Sequence, residues 1–263
     1  MSLRLFDSHC HLNLAELAPE QALHWHEAQQ AGVVALLIPA VERSAWPSLL
    51  QLHRQHSEWF VALGIHPWWA HSHRLSDVDE LAAVLQQQRD SVCAVGEIGL
   101  DYALSAETFA IQRQLFETQL VLAAELGMPV VLHHRKSQPH LLAAIKRTGF
   151  DQGGILHAFS GSTEQGQAFI EQGFKLGIGG TISYQRANKT RRAVQQLPLS
   201  AFVLETDAPA MPLAGFQGQV NTPARLAKVF QYFASLREEP EEQLAEQLWL
   251  NTCQALGLAH PQG

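Results

Sequence analysis

His9 and His11 stand two residues apart, just after a stretch with three apolar residues in four, Leu3, Leu5 and Phe6, gives way to Asp7. In an extended segment, side chains at i and i+2 share a face, so both imidazoles can reach one ion. Neutral imidazole is a common ligand of divalent metals. Residues of the same chemical type recur at the ends of later apolar runs, as His66, Glu97, His133, His157 and Asp207. Nitrogens from His9, His11, His133 and His157 with oxygens from Glu97 and Asp207 suit a borderline ion such as Zn, Mn, Co or Ni; Mg prefers more oxygen. Six ligands are too many for one open catalytic ion and suit two divalent ions that share a carboxylate. Glu97 is the expected bridge, because Gly96 and Gly99 beside it let backbone and substrate approach closely. A metal pair at roughly 3.5–4 Å holds a hydroxide nucleophile and stabilises both oxygens of an in-line displacement. Asp207 can ligate one ion and accept the proton of the attacking water. Asp207 and Glu97 are therefore the expected catalytic residues.

These side chains work together only if the fold gathers them. Eight short apolar runs read as strands: Leu3–Asp7, Val33–Pro39, Phe60–His66, Val92–Glu97, Val130–His134, Gly154–His157, Phe174–Ile178 and Ala201–Asp207. Most lack a polar/apolar alternation, which is the pattern of strands covered on both faces. Segments of helical period lie between them, and Gly32, Gly127, Gly149 and Gly173 each stand where a glycine closes a helix. Two further helices, Pro223–Leu236 and Glu239–Leu256, end the chain. Strand and helix repeated eight times predict an α/β fold, the parallel (β/α)8 TIM barrel. No low-complexity linker divides residues 1–263, so a single domain is expected. In such a barrel the carboxyl ends of the strands form the active rim, which would gather Asp7, His66, Glu97, His133, His157 and Asp207.

The bulk numbers narrow the function classes. A chain of 263 residues, 46% hydrophobic and 16% charged, has the composition of a folded globular protein. A net charge of -7 argues against a broad electrostatic grip on nucleic acid but leaves room for a local site whose metal ions supply positive charge. Cys10, Cys93 and Cys253 are scattered and odd in number, so no disulfide framework is expected and a cytoplasmic location is. No signal pattern or membrane-length apolar run is read, and no obligate protein partner is evident. His71-Ser72-His73 repeats the His-x-His spacing in a polar stretch and reads as solvated, as do His53, His56, His140 and His260.

Six motifs, in order and spread nearly end to end, carry a resemblance. They are Asp7-Ser8-His9-Cys10-His11, Gly64-Ile65-His66-Pro67, Gly96 to Tyr102, His133-x-Arg135, His157 to Ser162 and Glu205 to Pro209. Together they resemble the signatures of the TatD family, metal-dependent deoxyribonucleases of the amidohydrolase superfamily. Gly179 to Tyr184 and Met211 to Gln219 are similar to its YjjV-type branch. The resemblance implies a barrel with two divalent ions (Zn, Mg, Mn, Co or Ni) and phosphodiester hydrolysis at DNA ends. It implies one ion held by His9, His11, Glu97 and Asp207, and the other by Glu97, His133 and His157. It turns His66 and Arg135 toward the substrate phosphate, for which the planar fork of Arg is suited.

His134 follows His133 directly, and a one-residue shift of the strand would exchange their faces; the His-x-Arg spacing favours His133. Asp101 and Tyr102 serve either the ligands from behind or the substrate. Trp68 and Trp69 either stack on bases at the rim or cover a helix end. Many family members carry cations in the loop after the last strand, whereas here none occurs from Gly215 until Arg225. That loss and the acidic charge keep a second reading, hydrolysis of a small ester, amide or phosphomonoester. A third is a metal-binding scaffold without turnover.

Overall fold

The computed structural model describes residues 3–259; His260 lies outside them. The apolar runs form β1 (Leu5–Asp7), β2 (Val33–Pro39), β3 (Trp59–Leu63), β4 (Ala94–Asp101), β5 (Val130–Arg135), β6 (Gly154–Leu156), β7 (Phe174–Ile178) and β8 (Phe202–Leu204). Each pairs in parallel with the next, in sequence order. Ser8 N donates to Leu204 O at 2.8 Å and brings the last strand back to the first. The connecting helices are α1 (Gln21–Gln30), α2 (Trp46–Gln55), α3 (Ser76–Gln87), α4 (Phe109–Glu125), α5 (Gln138–Thr148), α6 (Thr163–Ile170) and α7 (Asn188–Gln196). Two more, α8 (Leu226–Ala234) and α9 (Glu241–Ala255), follow β8. This is the (β/α)8 TIM barrel.

Side-chain alternation divides the core in two. Phe6, Ala35, Leu37, Ala62, Ala94, Val131, Ile155 and Val203 pack together with the end of α9 in one cluster. Their neighbours along the strands, such as Leu5, Leu36, Val61 and Leu132, join the larger cluster with the helices. Both faces are dry, as the unbroken apolar runs require. The four glycines expected to close helices all have positive φ, from +59° to +91°. No helix among the described residues is long and apolar enough to cross a membrane.

Two departures from the sequence reading bear on the site. The run expected to end at Glu97 continues to Asp101, so Glu97 lies within β4. Its register against β5 shifts between Val95 and Ile98, and Glu97 N turns to donate to Ala40 O at 2.9 Å. The glycines of this stretch serve the neighbouring strand rather than the substrate. A Cβ on Gly96 would lie 2.7 Å from Val131 Cβ, and one on Gly99, at φ +150°, 2.1 Å from His133 O. Second, β3 ends at Leu63 and β8 at Leu204, so His66 and Asp207 sit on the loops beyond. Two buried glutamines of α4 fix the rim. Gln119 brackets the N–H and C=O of Ile65 at 2.8 and 3.2 Å, and Gln112 does the same for Asp101 at 2.9 and 3.2 Å. Backbone groups at the end of β4 and in the loop after β3 are thereby paired by side chains.

Candidate metal centre

Glu97 is 1% exposed, and its two carboxylate oxygens face different sets of imidazoles. Oε2 lies 3.1 Å from His9 Nε2 and 3.5 Å from His11 Nε2. Oε1 lies 2.9 Å from His133 Nδ1 and 3.3 Å from both His66 Nε2 and His157 Nε2. Asp207 Oδ1 completes the first set at 3.7 Å from the Nε2 atoms of His9 and His11. Those two Nε2 atoms are themselves 3.1 Å apart. Two imidazole lone pairs aimed at one point repel unless a proton or a cation lies between them. The donor chemistry therefore fits a metal ion on this side, and the Glu97–His66–His133 group offers a second set of converging atoms.

The electrostatics favour an anion at Glu97. Burial opposes its charge, yet the imidazoles of His66, His9 and His157 hold its carboxyl well below the usual range. Burial also opposes protonation of His9 and His133, but neighbouring carboxylates outweigh it and push each up to about 9. For His66 and His157 burial prevails, and they fall to about 4 and about 3.

Outer contacts orient these rings. His133 Nε2 is 3.4 Å from Asp101 Oδ2, which also accepts a 2.6 Å hydrogen bond from Trp68 Nε1. Asp101 Oδ1 accepts from Ala103 N at 2.9 Å. Against the cost of burial, His133 and Trp68 keep the Asp101 carboxyl below its usual range. His66 Nδ1 accepts from Trp68 N at 3.0 Å and caps a 3-10 helix, Pro67–Ser72, that no periodicity in the sequence announced. His134 points elsewhere, its Nδ1 3.4 Å from Gln138 Nε2. The open side is a cavity of about 700 Å³ lined in part by Trp68, His133, Arg135, His157, Asp207 and Met211. The Arg135 side chain is exposed there and makes no salt bridge among the described residues.

The family model described as "TatD related DNase" matches residues 6–257. The chain belongs to the TatD family, a family of metal-dependent hydrolases. It is 39% identical over 252 residues to the Escherichia coli K12 protein named "Uncharacterized metal-dependent hydrolase YjjV", covering 96% of this chain and 97% of that one. A Haemophilus influenzae protein named as an uncharacterized metal-dependent hydrolase is 38% identical over 259 residues, covering 96% and 99%. The crystal structure of the E. coli YjjV protein, titled a TatD homolog, superposes with a TM-score of 0.94, covering 98% of this chain and 100% of that one. An Entamoeba histolytica TatD-family hydrolase shares the fold at a TM-score of 0.84 and 19% identity, covering 97% and 99%.

Two acids of the TatD motifs take places that spacing did not reveal. Asp7 ends β1 as expected, but its carboxylate accepts from Thr206 N at 2.9 Å and Thr206 Oγ1 at 2.6 Å, joining β1 to the end of β8. Burial pushes its carboxyl up to about 7 against those donors. Glu205 is buried behind His157. Its Oε1 accepts from Ala158 N at 2.6 Å and lies 3.4 Å from His157 Nδ1, and burial raises it to about 7. Gly177 was the available signal, since a Cβ there would lie 2.2 Å from Glu205 Oε2. Lys136, Ala158, Asp207 and Met211 all adopt positive φ near +50°. Left-handed backbone at non-glycine residues costs of order 1–3 kcal/mol each and gathers at functional sites. All four line the cavity above Glu97.

His53 and His56, read as solvated, are only partly exposed. His53 Nδ1 is 2.9 Å from Trp59 O, and His56 stacks on the Trp59 ring at 3.8 Å.

Proposed function

We propose that this TatD-family chain is a divalent-metal-dependent phosphodiesterase acting on DNA ends. The observation that supports it most is Glu97, whose two oxygens serve separate imidazole sets, with His133, His157 and Asp207 of that site lining an open cavity beside the exposed guanidinium of Arg135. In this reading His9, His11, Glu97 and Asp207 hold one ion, and Glu97, His133 and His157 the other. When bound, such ions polarise the phosphate and make water a stronger acid. Asp207, on a left-handed turn whose N–H donates to His9 O at 2.9 Å, accepts the proton of the attacking water. Arg135 binds a non-bridging phosphate oxygen pair through its fork. Asp101 holds the outer nitrogen of His133, and Glu205 stands behind that of His157, so each ring keeps one orientation.

The test sets metal-loaded protein against DNA oligonucleotides and a panel of small esters, amides and phosphomonoesters. Turnover of oligonucleotides, lost in Asp207→Asn, supports the proposal. Turnover of the small esters alone removes the nuclease reading and leaves the alternative that the cation-free stretch from Gly215 to Pro223 favours.

A further inference from the structure

A second cavity, of about 410 Å³, lies beside the one above Glu97 and shares Ser160 and Met211 with it. Thr181, Tyr184, Arg186 and Thr190 make up most of its remaining wall. Arg186 is exposed and lays its guanidinium over the Tyr184 ring, 4.9 Å from the centroid. It makes no salt bridge among the described residues, so its charge is free for a ligand. The wall is built rather than loose. Tyr184 Oη donates to Pro212 O at 2.8 Å, and Ser183 Oγ accepts from Ala214 N at 2.8 Å, tying the turn after β7 to the loop after β8. Arg191 Nη1 braces the same turn by donating to Ile182 O at 2.7 Å. By contrast Arg225, the first cation after the cation-free loop, is turned to Phe216 and Gln219 and lines neither cavity.

We infer that this second cavity is a subsite for the nucleotide adjoining the cleaved one, with Arg186 binding its phosphate. The inference rests on the phosphodiesterase reading of the main site. Met211, 36% exposed, lines both spaces. A strand crossing it places one phosphate by Arg135 and the next by Arg186. The planar fork of Arg suits two phosphate oxygens, and its stacking on Tyr184 limits the rotamers lost on binding. Positive charge missing from the loop after β8 is thus supplied by the turn after β7.

The experiment compares two substrates, the p-nitrophenyl ester of thymidine monophosphate and pentathymidylate, in the metal-loaded wild type and in Arg186→Ala. The ester reaches only the main site, whereas the oligonucleotide reaches both. Relative to the ester, the oligonucleotide KM rises roughly tenfold in the variant, the size of one charged hydrogen bond lost. Arg186→Lys recovers part of that loss. Fluorescence anisotropy of labelled pentathymidylate gives a readout independent of turnover. Its log-log salt slope becomes shallower by about 0.7 when one phosphate contact is removed. Equal changes for both substrates, or an unchanged salt slope, overturn the subsite. Failure of the wild type to hydrolyse either substrate removes the phosphodiesterase reading, and the subsite with it.

Discussion

A carboxylate that touches five imidazoles is the residue on which the metal centre turns. Glu97→Gln keeps the shape of the side chain and removes its charge, leaving five ring nitrogens around a neutral amide. If the wild type holds the two ions proposed, bound metal, measured by elemental analysis, is expected to fall to one ion per chain or none. Turnover should drop by more than the 10–100-fold typical of losing a partner that merely orients a ligand. Asp101→Asn belongs to that milder class, because it loosens His133 through its outer nitrogen without touching an ion. Metal affinity should fall by about 10–100-fold while Glu97 and its other imidazoles stay in place. His133 and His134 separate by the same assay. His133→Ala should empty a site, whereas His134→Ala, whose ring turns to Gln138, should leave metal content intact.

At the scale of elements, the barrel closes through a polar seam. Asp7 and Thr206, 199 residues apart, hold β1 against the end of β8 with two buried hydrogen bonds. Asp7→Ala strips the partners from the buried N–H groups of Thr206 and His9 and from the Thr206 hydroxyl, a loss of about 2–4 kcal/mol. Urea unfolding should show a lower midpoint at an unchanged slope, whereas Thr206→Ser alone, which keeps both donors to Asp7, should retain most of the wild-type stability. This seam also shows what the sequence could convey about the elements. The ranges of β2 and β7 coincide with their apolar runs, since a dry strand flanked by helices leaves that mark on the residues alone. The seam left none. Asp7, Glu205 and Asp207 are the same kind of group in the same kind of motif, and only their partners across the barrel separate a staple from a ligand neighbour. The shift that seats Glu97 inside β4 escaped for a related reason, because register belongs to a pair of strands and not to one. Rim residues on loops, His66 and the 3-10 turn carrying Trp68, were identifiable by type but not by direction. Neither the hydrogen bond from Trp68 to Asp101 nor the ring of His66 against Glu97 follows from spacing.

Over the whole molecule, the centre couples metal binding to stability and to pH. Closing the barrel forces a buried anion and five imidazoles into contact, and an ion bound there stabilises only the folded chain. At about a hundredfold excess over Kd the gain is about 2.7 kcal/mol, which for a chain of this size raises the thermal midpoint by roughly 5–10 °C. The sign of the pH dependence follows from His9 and His133. Both are held up to about 9 by their carboxylates, so near neutrality each keeps a proton that a metal must displace. Raising the pH toward about 9 removes that competition; lowering it strengthens the proton's claim. His66 and His157, at about 4 and about 3, are already neutral and add no such dependence in this range. Calorimetric scans with and without chelator, repeated from about pH 6 to about pH 8, should show a gap between midpoints that widens with pH. Proton uptake by buffers of different ionisation enthalpy should confirm release on metal addition. A gap that narrows as pH rises would mean that the imidazoles facing Glu97 do not hold the ions, and the ligand assignment would have to move to other residues.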